Sequence, residues 1–181
     1  MLNNQVINVI NMYYKGKNEE LYTKKSTEKI GLPGIIYDFC ELNNIGVKSL
    51  TSYANPSEEW YFTMGKYRDN SFEVEYNSIL TVSKLADVYS LEHNFKVVNQ
   101  DPKKIAPVLV GESEDAYNLI QFDLEELIKR AYDANNFSRM FWVDSLRKIE
   151  GITFSDDVIL FGPDVTQEDI LFRDVLDILP D

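Results

Sequence analysis

The sequence predicts an α+β fold: N-terminal helices, a central antiparallel meander over about 59–98, and C-terminal helices packing on the sheet. Three observations predict it. Between Glu59 and Val98 apolar residues recur at every second position, whereas on both sides they recur at three and four. Glycine, proline and capping residues punctuate the flanks at helix ends. The 181 residues, 44% hydrophobic and 13% aromatic, supply a core for one domain, 1–181, and no repeat or linker divides it.

In the N-terminal fifth, Val6, Ile7, Ile10, Tyr13 and Tyr14 keep helical spacing up to Gly16. Pro33-Gly34 opens a second helix carrying Ile35, Ile36, Phe39 and Leu42, with Cys40 packed inside it and Gly46 as a terminal cap. Trp60, Phe62 and Met64 then alternate with Tyr61 and Thr63, and a loop at Gly65–Ser71 follows. Phe72, Val74, Tyr76, Leu80 and Val82 form the next strand, and after a break at Lys84–Asp87 come Tyr89, Leu91, His93, Phe95 and Val97. A hairpin loop at 84–87 makes paired residue numbers sum to 171. Glu75 then faces Lys96, His93 faces Ser78, and the two apolar faces coincide.

Residues 104–111 read as a short edge strand, because Pro107 cannot donate in a central ladder. Helix 115–134 carries the stripe Tyr117, Ile120, Leu124, Leu127, Ile128 and Ala131, with Gln121 and Glu125 off it and Glu125–Lys129 spaced as an i,i+4 pair. A further helix is expected over 138–149 and a strand over 158–161. A last helix is expected from a Thr166/Asp169 capping box to about Leu179.

The templates for catalysis find little to match. One cysteine excludes an internal disulfide and a cysteine-based zinc site, and one histidine excludes multi-histidine zinc chemistry. His93 with Cys40 would make a nucleophilic dyad, but its place on an apolar strand face favours a structural histidine bonded to Ser78. Glu73 and Glu75 share a strand face and are the remaining acid–base or cation-binding pair, although Lys96 offers Glu75 an ordinary cross-strand partner. The acidic loop Gly111–Asp115 lacks the ligand spacing of an EF-hand. No glycine pattern suggests a nucleotide site, and no serine sits in a nucleophile elbow. No cofactor or metal is expected. With neither a signal-like opening nor a long apolar run, the cytoplasm is the expected location.

Charge is the informative asymmetry. Residues 1–111 carry 13 acids and 12 bases, whereas residues 112–181 carry 17 acids and 6 bases, nearly the whole net charge of -12. An acidic surface disfavours direct contact with nucleic acid or an anionic membrane and favours a basic protein partner. The candidate partner-binding residues are Glu112, Glu114, Asp156, Asp157, Asp164, Glu168, Asp174, Asp177 and Trp142. Asp174 and Asp177 are expected on one face of the last helix, where Asp177 would oppose the helix dipole. In its single-domain length, missing catalytic set and acidic second half interleaved with Tyr117, Phe122, Tyr132, Phe137, Phe141 and Trp142, the chain resembles bacterial toxin-immunity proteins. The resemblance implies an inhibitor that blocks a cognate toxin, such as a nuclease, by presenting carboxylates where phosphates would bind. A regulatory protein-interaction module and a carboxylate-dependent hydrolase are the alternatives.

Overall fold

A computed structural model describes residues 2–69, 71–101, 103, 108–152 and 164–179. The architecture is α+β, as the change of period predicts. Helix α1 (Leu2–Val9) runs into a π-helical turn (Ile10–Lys15) that closes at Gly16, then come α2 (Glu19–Thr27) and α3 (Gly34–Leu42). Strands β1 (Gly46–Ser49), β2 (Ser57–Asp69), β3 (Phe72–Ser83), β4 (Val88–Asn99) and β5 (Leu109–Ser113) form an antiparallel sheet in sequence order. After α4 (Leu119–Asp133), the two-residue β6 (Ser138–Arg139) pairs parallel to the start of β4. Helices α5 (Trp142–Ser145) and α6 (Gln167–Phe172) follow.

The β3–β4 hairpin has the register read from the sequence, with Glu75 opposite Lys96 and Ser78 opposite His93. Trp60, Phe62, Leu80, Val82, Tyr89 and Leu91 share one face and pack with Ile36 and Cys40 of α3 and with Leu124, Ile128 and Tyr132 of α4. A second apolar cluster joins Val6, Val9, Tyr13, Tyr14 and Tyr22 to Leu85 and Val88 at the hairpin end and to Ile170, Leu171 and Phe172 of α6. Sheet hydroxyls tie α6 in place: Ser57 donates to the carbonyl of Phe172 at 3.0 Å and Ser83 to that of Leu171 at 2.7 Å.

Several expected elements are corrected. The loop at Gly65–Ser71 is mostly strand, because β2 absorbs Gly65 (φ 78°) in a bulge between Thr63 and Lys66 and continues to Asp69. Of the edge strand expected over 104–111, Leu109–Gly111 lie in β5, which runs on to Ser113, and residues 104–107 lie outside the described residues. The helix over 138–149 is instead β6 plus one turn. The amides of Ser138 and Met140 donate to the carbonyls of Asp87 and Tyr89 at 2.9 and 2.8 Å, so the backbone is committed to the sheet. The last helix stops at Phe172, since Arg173 turns extended (φ -118°, ψ 153°). The strand over 158–161 lies outside the described residues.

Candidate functional site

On the sheet face opposite α3 and α4, register places Glu59, Thr81 and Ser90 in one row across β2, β3 and β4, and Tyr61, Ile79 and Glu92 in the next. α6 covers the hairpin end of this face and α5 lies beside it. Between these helices the sheet, covered there by no other described element, forms the floor of a cleft of about 240 Å³. Glu59 and Glu92 rise from the floor, Trp142 and Ser145 of α5 form one wall, and Glu168 with Arg173 form another. A shallower hollow continues from it past Trp142 to Glu112 and Leu146.

Local sequence explains how each side chain arrives. Thr166 caps α6 and exchanges hydrogen bonds with Asp169 in a capping box, as the sequence predicts. That makes Glu168 the one residue of α6 that is not buried. Arg173 reaches back to Glu168 (3.4 Å) and Asp169 (3.1 Å). The Trp142 indole N–H donates to Glu92 Oε1 at 2.9 Å, and the Trp142 amide donates to the Glu114 carboxylate. Trp142 is therefore a wall of the cleft and not a core residue.

The carboxylates oppose one another electrostatically. Burial, then the charge of Glu92, pushes the Glu59 carboxyl above its ordinary pKa. Burial also raises Glu168; Arg173 and a hydrogen bond with Ser145 counter it, while Asp169 and Glu92 add to it. A half-buried cluster of acids in this state gains from any cation that enters and relieves both desolvation and mutual repulsion. Among the described residues no group of three or more Asp, Glu, His or Cys side chains is placed to hold a metal ion.

The structure gathers Glu112, Glu114, Glu168 and Trp142 around this cleft. It adds Glu59 and Glu92, which sequence reading left out of the site although the alternation already put Glu92 on the wet face of β4. Asp164 is exposed and paired with Lys148. Asp174 is not on a helix face. Its carboxylate accepts from the Tyr22 hydroxyl (2.9 Å) and from the amides of Ile178 and Leu179 (2.8 and 2.6 Å), so it anchors the terminal turn. Asp177 is exposed in a left-handed conformation (φ 54°) and opposes no helix dipole. Asp156 and Asp157 lie outside the described residues. Among the interleaved aromatics, Tyr132 and Phe137 pack in the core, while Tyr117, Phe122, Phe141 and Trp142 are exposed.

The alternative chemical centres resolve into structure. Lys66 Nζ lies 3.0 Å from Glu73 and 3.8 Å from Glu75, so the two carboxylates share one cation on the strand surface. Cys40 is buried in α3, and burial pushes its thiol up to about 11. His93 is fully buried with Nδ1 2.7 Å from Ser78 Oγ. Its Nε2 lies 3.3 Å from Glu125 without hydrogen-bond alignment. Glu125, expected on the solvent side, turns inward to meet Arg139, which also donates to the carbonyls of Leu91 and Glu114 (3.0 and 2.7 Å). This serine–histidine–glutamate chain has the partners of a catalytic triad, but Ser78 and His93 are both sealed from solvent, so no substrate can reach the hydroxyl. Gln121, also expected outside, is buried and donates to the Asn77 carbonyl at 2.8 Å. No helix among the described residues is long and apolar enough to cross a membrane. No protein-family model, curated protein or solved structure matches the chain.

Proposed function

We propose that this protein is an immunity-type inhibitor that neutralises a basic toxin through the carboxylate cleft. The observation that carries the reading is the gathering of Glu59, Glu92, Glu112, Glu114 and Glu168 around Trp142 on a part of the sheet left open among the described residues. A basic side chain entering there exchanges water for carboxylates whose repulsion it cancels, while the indole supplies a flat apolar wall and a cation–π surface. Exposed Val143 and Leu146 beside the cleft add the apolar area that such contacts bury. Carboxylates in this position would occupy the place of phosphates on a nuclease partner.

The test is capture of the partner from the native cell with wild-type protein and with a Glu92→Lys, Glu168→Lys double variant. Recovery of a basic toxin by the wild type alone, with loss of toxin neutralisation in the variant, is the expected result. Equal recovery and protection by the variant would remove the cleft from the reading.

A further inference from the structure

A break along the edge of β4 joins the cleft to the buried polar network on the other face of the sheet. β5 pairs with that edge as far as Ser113 opposite His93, and β6 takes over with Arg139 opposite Tyr89, so Leu91 falls between the two ladders. The Arg139 guanidinium fills the interval. Its Nη2 donates to the carbonyl of Leu91 at 3.0 Å and to that of Glu114, the residue after β5, at 2.7 Å. Its Nη1 donates to Glu125 of α4, whose other oxygen lies 3.3 Å from His93 Nε2. The guanidinium carbon stands 4.8 Å from the centre of the Phe141 ring, and only 12% of the side chain is exposed. Arg139 thus reaches α4, β4, the end of β5 and the entry to α5, yet is not itself a wall of the cleft.

Two further bonds carry its placement to the cleft. The Glu114 carboxylate accepts from the Trp142 amide, and the Trp142 indole N–H donates to Glu92 at 2.9 Å. Glu114 is therefore held at its carbonyl by Arg139 and at its side chain by Trp142, which closes a ring of contacts around residues 139–142. We propose that Arg139 is a positioning residue for partner recognition: without contacting the partner, it sets Glu114 and the Trp142 wall in the arrangement that receives a basic side chain. This rests on the reading of the cleft given above. The task requires a guanidinium. Its planar fork sends separate N–H groups to a carboxylate and to two carbonyls on different elements, whereas a lysine ammonium gathers the same charge on one atom and cannot span them. The geometry also gives Glu125 its reason for turning inward, because the anion fixes the fork from the α4 side and leaves Nη2 aimed at the two carbonyls.

The experiment begins with the full chain alone. Its two tryptophans give two indole N–H signals in a magnetic resonance spectrum. Trp142→Phe identifies one of them, and Trp60, buried in the core, is the reference for the other. Arg139→Lys should speed exchange of the Trp142 indole N–H about tenfold, the worth of one hydrogen bond to a charged group, and leave Trp60 unchanged. With the captured partner the same variant should dissociate about tenfold faster and associate at the wild-type rate, because the charge is kept. Glu114→Ala cuts the second link while Arg139 keeps Glu125, and it should loosen the Trp142 indole in the same way even if Arg139→Lys folds poorly. Cys40→Ala, which weakens the core beneath α3, should leave the Trp142 signal as it is. Unchanged Trp142 exchange in the Arg139 and Glu114 variants, equal acceleration at Trp60, or the same loosening by Cys40→Ala would overturn the proposal. Wild-type dissociation of Arg139→Lys would overturn it too, provided that the Glu92→Lys, Glu168→Lys variant does lose the partner. If that double variant keeps the partner while Arg139→Lys still loosens Trp142 alone, the cleft reading fails and the positioning of the wall stands.

Discussion

His93 and Glu59 show how single buried or half-buried groups set the pH response. Burial pushes the His93 imidazole below its ordinary pKa; Glu125 opposes the shift and Arg139 adds to it. Its folded value thus lies below the unfolded value of about 6.5, so the unfolded chain takes the proton first and His93's contribution to stability is lost as pH falls through that range. His93→Gln should cost about 1–3 kcal/mol at pH 7, because it disturbs a buried network with Ser78 and Glu125. Urea unfolding should show that difference narrowing towards pH 5, and a constant difference would contradict the assignment. Glu59 has the opposite sense. Its carboxyl is raised, so the native state disfavours the ion and stability is lost as pH rises from the unfolded value towards the folded one. Glu59→Gln should therefore stabilise the protein at pH 7 by about a few tenths of a kcal/mol, since water screens a half-exposed carboxylate, and the gain should vanish at acid pH. Equal midpoints at pH 7 would show that Glu59 feels no net repulsion.

Helix α6 shows how an element holds the site. Thr166→Ala removes the acceptor for the Asp169 amide (3.3 Å) and should cost about 0.5–2 kcal/mol. Because the same turn sets Glu168, the variant should also loosen the cleft, read as faster amide exchange at Glu168 and Asp169. Unchanged exchange there would separate the cap from the site. That cap was legible in the sequence because it is local chemistry, as was the β3–β4 register, where alternation and loop length agree. The turn at 142–145 was not. Met140, Phe141, Val143, Leu146 and Ile149 follow helical spacing, but the Ser138 and Met140 amides are taken by the carbonyls of Asp87 and Tyr89, long-range bonds that spacing cannot reveal. Glu125 and Gln121 were misread for a related reason: polar residues look solvent-facing until Arg139, His93 and the Asn77 carbonyl supply buried partners. Asp174 likewise reads as surface charge until Tyr22, 152 positions away, is seen to donate to it. The cleft itself needed tertiary placement, because it joins β2, β4, α5 and α6.

At the scale of the molecule, two groups stand out among the described acids of residues 112–181, whose excess carries most of the net charge. Asp169, Asp174 and Glu125 are spent on caps and buried partners, while Glu112, Glu114 and Glu168 join Glu92 and Glu59 at one open cleft. The two apolar clusters meet where Val82, Leu85, Val88 and Tyr89 follow one another through the hairpin, so neither half has a core of its own. Heating or urea should accordingly produce one transition, and fragments 1–111 and 112–181 should each lack cooperative unfolding. Two separate transitions of the intact chain would refute this. The same division of charge sorts the variants by kinetics. A basic partner drawn to the cleft should associate faster at low salt, with the rate falling as ions screen charges beyond roughly 8–10 Å. Glu112→Lys, on the exposed rim, should slow association by several-fold and flatten that salt dependence. Glu92→Gln, bonded to the Trp142 indole inside the cleft, should act chiefly on dissociation, weakening the complex by about 2–5 kcal/mol if the partner's cation is left unpaired. Asp177→Lys, exposed on the terminal turn outside the cleft, should change neither rate beyond the small effect of one distant charge. Asp174→Lys should lower the unfolding midpoint through its lost bonds to Tyr22, Ile178 and Leu179. Stopped-flow association and dissociation with the captured partner, at low and at high salt, separate the first three outcomes, and urea unfolding of the free protein reads the fourth. A salt-independent rate, or equal effects from Glu112→Lys and Asp177→Lys, would show that the cleft does not steer the encounter.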